Sequence, residues 1–336
     1  MKHTNLSIFI PHMGCPFCCS FCNQGIISGK TKAPTDRELI TLLNQQQEIL
    51  KRNNVCAEIA FFGGSFTAID RNYMIKLLSA AKSFCDEFPE QYTGLRCSTR
   101  PDFIDEEILC ILKEYGMRSI ELGAQSMNND VLEKNNRGHT ASDVKVASKM
   151  IRDFGFSLGL QMMTGLYGST IESDLDTAKQ FIELKPDTVR IYPTVVLKHT
   201  RLAEYFNKGI YKPFSFDESV ELCSNLLKMF EKNNVKVIRL GLHASDDIKN
   251  DFIAGTYHPA FREICESRNI LNKIIEQLNI LKGNTFNIYT NSRNLSKVIG
   301  HKKSNLNTLE KKGYKIKIFS DDFCKGEFKI VKTGVS

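Results

Sequence analysis

Short apolar segments alternate with amphipathic segments of helical period along most of the chain. The apolar segments are rich in Ile, Val and Phe and have the length of buried strands. They are LSIFI (6–10), AEIAFF (57–62), GLRCST (94–99), RSIELG (118–123), FSLGLQMM (156–163), DTVRIY (187–192) and VKVIRL (235–240). The segments between them predict helices near 36–52, 71–86, 105–115, 141–154, 172–183 and 216–233. Thr35 and Thr170 precede two of these helices and are expected to cap them.

Strands that are regularly separated by helices predict a parallel sheet, because parallel neighbours need a long crossover connection. The pattern therefore predicts an α/β fold, with a partial or full parallel β/α barrel. In such a barrel the chemistry lies where the strands pass into loops at their C-terminal ends. We expect functional polar groups directly after the strands.

The pattern changes after about residue 265. Residues 268–283 predict one amphipathic helix that ends at Gly283. The segments that follow predict strands at 285–290, 314–320 and 327–332 and a helix near 294–312. We expect two domains, a β/α barrel over 1–267 and a helix with a small basic α/β module over 268–336.

Composition and charge indicate the class of protein and a type of partner. The 336 residues are 42% hydrophobic and 25% charged, which is typical of a globular protein. No apolar run reaches the ~18 residues of a membrane span, and LSIFI is too short for a signal-peptide core, so we expect a cytoplasmic protein without a membrane partner. From residue 282 onwards the chain has twelve Lys and Arg but only four acidic residues. This segment accounts for the net charge of +7. Such a basic module indicates a polyanion partner, and the alternative is a Lys-rich soluble surface.

Cysteine usage indicates a metal centre. The chain has 11 cysteines and no export signal, which argues against a disulfide framework. Four of them lie in PHMGCPFCCSFCNQG (11–25), just after the first predicted strand. Three thiolates on one loop can hold three irons of a 4Fe–4S cluster, and the fourth iron is then open to a small molecule such as S-adenosylmethionine (SAM).

Two registers of the cysteines are open. Cys15, Cys19 and Cys22 follow a Cys-x3-Cys-x2-Cys spacing with Phe21 before the last cysteine, whereas Cys18 would replace Cys19 in the other register. The first resembles the pattern of the radical SAM superfamily, which implies Cys15, Cys19 and Cys22 as ligands and Cys18 as a neighbour. The rival, a four-cysteine zinc site, usually comes as two separated pairs.

Polar motifs follow the predicted strands. They are GGSF (63–66), TRPD (99–102) and ELGAQS (121–126), and NRGHT (136–140) stands a little later. Two adjacent glycines at a strand end let the backbone approach a ligand closely. Each motif alone is equally typical of a capped turn or a surface ion pair, but their common location at one barrel face favours a binding site.

Together with YPTVVLKHTRL (192–202) and AFREI (260–264), these motifs resemble the radical domain of the Elongator catalytic subunit family over about residues 10–267. That family modifies the wobble uridine of transfer RNA at carbon 5, so the resemblance implies an enzyme that uses a 4Fe–4S cluster, SAM and a 5′-deoxyadenosyl radical. It implies a catalytic role for Tyr192, which lines the pocket, and for Lys198, which faces RNA beside His199. It implies cofactor contacts for Gly63, Gly64, Ser65, Thr99, Arg100, Glu121, Gln125 and Arg137.

Two departures from that family limit what the resemblance implies. The family usually has one distant cysteine followed by a CxxC pair, whereas the spacing here is compact. Residues 268–336 are too few for the family's acetyltransferase domain and contain no acetyl-CoA motif. The use of acetyl-CoA is therefore not implied, and the donor of the transferred group stays open.

The basic module has a motif of its own. The segment Ile299-Gly300-His301-Lys302-Lys303 resembles a degenerate KH motif, in which an Ile-Gly-x-x-Gly loop clamps an RNA backbone. Lys303 replaces the second glycine. Lys302 and Lys303 are candidate phosphate contacts, and the alternative is a basic cap that closes the barrel.

The sequence thus favours a tRNA-modifying radical enzyme that acts at carbon 5 of a uridine. Its expected partners are tRNA and an electron donor of the flavodoxin or ferredoxin type. Two alternatives are an enzyme resembling oxygen-independent coproporphyrinogen oxidase and an RNA-binding protein with a structural iron–sulfur cluster. The added group, the tRNA species and the oligomeric state are left open.

Overall fold

A seven-stranded sheet forms the body of the molecule in the computed structural model, which describes residues 2–10, 15, 19–23, 32–242, 246–322 and 327–333. Its strands are all parallel and lie in chain order. They are β1 (Lys2–Ile10), β2 (Val55–Gly63), β3 (Tyr92–Thr99), β4 (Met117–Gln125), β5 (Ser157–Thr164), β6 (Thr188–Pro193) and β8 (Lys236–Leu240). The remaining strands are β7 (Val195–Leu197), β9 (Phe252–Gly255), β10 (Thr285–Thr290), β11 (Lys315–Ser320) and β12 (Lys329–Lys332).

Helices connect the parallel strands and cover one face of the sheet. They are α1 (Asp36–Arg52), α2 (Arg71–Glu87), α3 (Glu106–Glu114), α4 (Asn129–Lys134), α5 (Ala141–Asp153), α6 (Ile171–Glu183), α7 (Arg201–Asn207), α8 (Phe216–Lys232) and α9 (Asp246–Asp251). The last part of the chain adds α10 (Phe261–Leu281), α11 (Leu295–Ile299) and α12 (Ser304–Lys311).

The sheet is an open half-barrel, because β1 and β8 are its edge strands within the described ranges. Of the two predicted forms, the partial barrel is the one observed. Side chains alternate across each strand, so Ile59 and Phe61, both 0% exposed, face the helices. Glu58 and Phe62 face the concave interior instead, where Glu58 pairs with Arg96 at 2.9 Å and the Phe62 ring lies 5.1 Å from the Arg190 guanidinium.

Helix caps fix where two of the connections begin. Thr35 Oγ1 accepts from Glu38 N at 3.2 Å, and Thr170 Oγ1 accepts from Ser173 N at 3.2 Å. Both predicted caps are therefore confirmed. A two-stranded antiparallel ribbon of β7 and β9 was not expected from the sequence. It depends on Gly255, where a Cβ would lie 2.6 Å from Thr194 O.

The C-terminal part has its own sheet and core. Strand β10 pairs in parallel with β11 and antiparallel with β12. A second apolar cluster contains Ile270, Leu271, Ile274, Leu278, Phe286, Ile288, Val298 and Leu309. Helix α10 continues across residues 267 and 268, where the sequence predicts the domain boundary. The boundary itself stays a prediction.

The single helix expected near 294–312 is wrong in detail, since the backbone breaks between α11 and α12. Gly300, Lys302 and Lys303 have φ of +84°, +50° and +62°, which a right-handed helix does not allow. Among the helices in the described residues, none is both long and apolar enough to cross a membrane.

Candidate active site

The three predicted cluster ligands lie on the loop that follows β1. Cys15 is exposed, and Cys19 and Cys22 are half-buried. Cys22 N donates to Cys19 O at 3.2 Å, so these two residues share one turn. Within the described ranges no three His, Cys, Asp or Glu side chains lie close enough together to hold a metal ion. Cys18 lies outside the described residues, and its role as a neighbour stays a prediction.

The end of the cysteine loop is docked onto the segment that follows α4. Ser20 N donates to Asn135 O at 3.2 Å, and Ser20 Oγ donates to Asn135 Oδ1 at 2.6 Å. On its other side Ser20 O accepts from Leu202 N at 2.8 Å. Phe21 packs beside Tyr167 in a small apolar cluster that includes Leu202. Backbone, side-chain and apolar contacts therefore fix residues 20 and 21.

Arg137 brings the NRGHT motif directly to this loop. Its Nη1 lies 3.0 Å from Cys19 Sγ, and its Nη2 donates to Gly123 O. Its backbone carbonyl accepts from Arg100 Nη2. Arg100 is in turn held by Asp102, with contacts of 3.0 and 2.8 Å. The predicted residues Arg100, Arg137 and Cys19 thus form one connected group.

The two glycines of GGSF serve a close approach between strands. Gly63 has φ +117°, and a Cβ there would lie 2.7 Å from Ile10 O. Gly64 N donates to the same oxygen at 2.9 Å. The end of β2 therefore lies tightly against the end of β1, where the cysteine loop begins. Contact of either glycine with a cofactor stays a prediction.

Ser65 and Thr99 join the ends of β2 and β3. Ser65 Oγ lies 2.7 Å from Thr99 Oγ1 and accepts from Arg100 N at 3.1 Å. Thr67 Oγ1 lies 2.6 Å from the same Thr99 oxygen. Ser65 is 0% exposed. In this arrangement the hydroxyl groups bind each other and position Arg100.

Three buried polar atoms near the end of β4 have no hydrogen-bond partner in the described part of the chain: Gln125 Oε1, Arg137 Nε and His139 Nδ1. Burial, aided by the charge of Arg137, lowers the pKa of His139 to about 4. The neutral ring then donates from Nε2 to Ala124 O at 3.2 Å, which leaves Nδ1 as an acceptor. Unmade hydrogen bonds cost about 1–3 kcal/mol each. The three atoms leave two acceptors and one donor for a polar ligand.

The concave interior has a polar floor around Glu121. This carboxylate accepts from Arg96 Nη1 at 3.0 Å, from Gln161 Nε2 at 3.0 Å, and from Arg190 Nε and Nη2 at 2.5 and 2.9 Å. Glu121 is 1% exposed and lies four residues before the end of β4. It therefore lies below the strand ends, and its contact with SAM stays a prediction. The guanidinium of Arg190 lies 5.1 Å from the Phe62 ring centroid.

Tyr192 and Arg239 continue this floor towards the edge strand β8. Burial raises the pKa of Tyr192, so its hydroxyl keeps its proton at neutral pH. Arg239 lies next to Arg190 in the strand register and donates to Gly241 O at 3.0 Å. It forms no ion pair with any described residue.

Arg96, Gln161, Arg190 and Arg239 were missed in the sequence. The three arginines had a signal, because each stands inside one of the apolar strand segments GLRCST, DTVRIY and VKVIRL. Arginine is rarely buried in a strand without a partner or a function. The apolar pattern of these strands predicts burial, and it does not by itself indicate which buried positions take part in a polar site.

The remaining predicted residues are Lys198, His199, Lys302 and Lys303. Lys198 Nζ donates to Asn250 O at 2.8 Å and lies 3.7 Å from Asp251 Oδ1. His199 is exposed with φ +60°. Lys302 and Lys303 are exposed as well.

The loop that carries these two lysines contacts the barrel. The His301 ring lies at 79° to the His258 ring, with 4.9 Å between their centroids. Burial and the charges of His301 and Lys302 lower the pKa of His258. The basic loop is thereby held against the body of the molecule.

Comparison with known proteins assigns the fold. Residues 9–181 match the Radical SAM superfamily, and residues 186–272 match the Radical_SAM C-terminal domain. The chain belongs to the radical SAM superfamily. The cysteine loop and the strand-end motifs from GGSF to NRGHT all lie within the first match.

Among relatives, this radical SAM protein is 31% identical over 185 residues to tRNA uridine(34) acetyltransferase of Methanocaldococcus jannaschii, which covers 50% of this chain and 34% of that protein. It is 30% identical over 190 residues to human Elongator complex protein 3, covering 51% and 35%. The chain therefore spans about a third of the length of these relatives. The archaeal Methanocaldococcus infernus Elp3 structure superposes with a TM-score of 0.63 at 22% identity, covering 83% of this chain and 64% of that one, which shows the shared fold.

Proposed function

We propose that Cys15, Cys19 and Cys22 bind a 4Fe–4S cluster and that SAM binds beside it at the end of β4. Three thiols on one loop are a suitable donor set, and the exposed Cys15 leaves a route for electrons from a flavodoxin or ferredoxin. When bound, the cluster and SAM supply a 5′-deoxyadenosyl radical. The unpaired atoms of Gln125 and His139 would hold polar groups of SAM.

The substrate we propose is a uridine of tRNA, modified at carbon 5. The observation that carries this proposal is the set of guanidinium groups in the polar floor, where Arg190 is paired with Glu121 and Arg239 has no ion pair among the described residues. Uracil presents two carbonyl oxygens as acceptors, and the guanidinium groups of Arg190 and Arg239 would suit them. Phe62 and Tyr192 supply aromatic surface, on which bases stack. The similarity to tRNA uridine(34) acetyltransferase supports the same assignment.

Nucleoside analysis tests this proposal directly. We expect tRNA from cells with the gene, grown without oxygen, to contain a modified uridine that is missing from cells without it. Purified protein with a reconstituted cluster should release 5′-deoxyadenosine faster when unmodified tRNA is added. Mass spectra that agree at every uridine would contradict the proposal.

Lys302, Lys303 and His199 are the proposed RNA contacts outside the barrel. Lysine side chains that neutralise phosphates release counterions, so binding weakens steeply with salt. We expect Lys302→Glu/Lys303→Glu to weaken tRNA binding and to reduce the slope of log K against log salt by about 1.5–2. Filter binding at several salt concentrations measures both quantities.

The matched control changes the same charge elsewhere on the tail. Lys311 and Lys312 are exposed at the end of α12. Lys311→Glu/Lys312→Glu should reduce affinity much less than the first pair. Equal losses would mean that only the overall charge of the tail acts.

A further inference from the structure

We propose that Arg137 is a positioning residue for the cluster: it donates an N–H to the Cys19 sulfur, which holds that ligand in place and raises the cluster's reduction potential. The inference rests on the proposed cluster, but it does not depend on tRNA being the substrate. It differs from the role that the sequence implied for Arg137, which was contact with SAM.

The guanidinium is fixed on several sides. Nη1 lies 3.0 Å from Cys19 Sγ while Nη2 donates to Gly123 O. Arg137 N donates to Leu132 O at 3.0 Å, and its carbonyl accepts from Arg100. With only 6% of the residue exposed, the side chain has little room to turn away from the sulfur.

The charge of Arg137 has no carboxylate partner among the described residues. Asp102 lies nearby but makes a two-contact ion pair with Arg100, at 3.0 and 2.8 Å. A buried cation without an anion is costly, so it needs a negative partner. Cys19 supplies that partner when it binds iron, because the metal ligand is the thiolate.

The same segment also holds the residue after Cys19. Asn135 is 0% exposed, and its Nδ2 donates to Val131 O at 2.7 Å and to Tyr167 O at 2.9 Å. Its Oδ1 is thereby aimed at Ser20 Oγ, which donates to it at 2.6 Å. Two neighbouring loop residues are thus bound by residues 135 and 137. These contacts restrict the position of Cys19.

A donor and a positive charge at a ligand sulfur act on the electron balance of the cluster. Reduction adds one negative charge to the cluster, and a nearby guanidinium stabilises the reduced form more than the oxidised form. Hydrogen bonds to the sulfurs and net charge are among the factors that set iron–sulfur potentials. Arg137 should therefore make the cluster easier to reduce.

The test uses the full chain with a reconstituted cluster and no SAM. Redox titration followed by electron paramagnetic resonance compares the wild type with Arg137→Gln and Arg137→Lys. We expect a more negative potential for Arg137→Gln and a smaller shift for Arg137→Lys, which keeps the charge. The control is Arg71→Gln, since Arg71 forms a surface pair with Glu107. An unchanged potential in Arg137→Gln would overturn the tuning role.

A second measurement needs no cluster, so it also tests a variant that fails to assemble one. Iron-free protein is treated with iodoacetamide, and mass spectrometry of peptides gives the alkylation rate of each cysteine. We expect Arg137→Gln to lower the rate at Cys19 several-fold, because the thiolate is the reacting species and loses its cationic partner, while the rate at Cys15 stays the same. Equal rates at Cys19 in wild type and variant would overturn the positioning role. Weaker SAM binding with both readouts unchanged would indicate that Arg137 contacts SAM, as the sequence implied, and does not position Cys19.

Discussion

Asp174 is a carboxyl group buried behind the loop that follows β5. It is 1% exposed and accepts from Gly165 N at 2.8 Å, while Tyr211 Oη donates to Gly165 O at 2.6 Å. Burial raises the pKa of Asp174 to about 7, although the Gly165 N–H opposes the rise. At neutral pH this single group is therefore divided between its charged and neutral forms.

This raised pKa makes stability depend on pH. The folded state binds the proton more tightly than the unfolded state, so the stabilisation is complete below about pH 4 and is lost as pH rises through about 7. Asp174→Asn stays neutral and keeps an acceptor for Gly165 N. In urea unfolding, we expect the free energy of unfolding of the wild type to fall between pH 5 and pH 8 by up to about 2.5 kcal/mol more than that of the variant.

Asp176→Asn provides the control, because Asp176 is exposed on the same helix α6. Its stability should follow that of the wild type at both pH values. Parallel curves for wild type and Asp174→Asn would contradict the raised pKa.

For single residues, the sequence predicted which side chains belong to the candidate site but not which of them contact each other. Arg100 lies directly after β3, as the order of motifs predicted, whereas Arg137 follows helix α4. Nothing in the sequence indicates that Ser65 binds Thr99, or that Arg137 reaches Cys19, because these contacts join residues 34 and 118 positions apart. Glu121 shows the same limit, since its three partners lie on three other strands.

At the scale of elements, the tight fit of β1 against β2 makes Gly63 hard to replace. We expect Gly63→Ala to cost more than about 2 kcal/mol, because the methyl group would meet the backbone of Ile10 and the positive φ would be strained. Iron content after reconstitution should also fall, since the cysteine loop starts at this strand end. Chemical unfolding and iron analysis measure the two effects.

Gly155→Ala is the matched control for this substitution. Gly155 has φ +83°, and a Cβ there meets nothing within 4 Å. It should cost only about 1 kcal/mol of backbone strain and leave iron content unchanged. Similar losses in the two variants would show that strain alone acts at Gly63.

The elements that the sequence predicted well are those with long and regular patterns. Seven strands, six helices and two caps were recognisable because apolar periodicity and capping chemistry are local. The β7–β9 ribbon was not predicted, because its strands have only three and four residues and pair across a long stretch of sequence. The break between α11 and α12 was not predicted either. It depends on two lysines with positive φ, and a local sequence pattern does not reveal such a backbone conformation.

For the whole molecule, the two apolar cores are joined by one helix. Phe261 and Cys265 of α10 lie in the barrel core, and Ile270 and Ile274 lie in the tail core. The two parts should therefore unfold in one cooperative transition.

Phe286 tests the tail core, because it is 0% exposed there. We expect Phe286→Ala to cost about 3–5 kcal/mol and to lower the melting temperature of the whole chain. Phe319→Ala, on the adjacent strand and 40% exposed, should change it far less. Calorimetry that resolves a separate tail transition in the wild type would contradict the shared core.

The continuity of α10 also restricts how this architecture can change over evolution. A residue inserted between the two cores would turn the tail by about 100° and move it by about 1.5 Å. Such a change would swing the basic loop away from His258 even if every side chain in both cores were kept. The length of this one helix therefore constrains the architecture as strictly as its composition does.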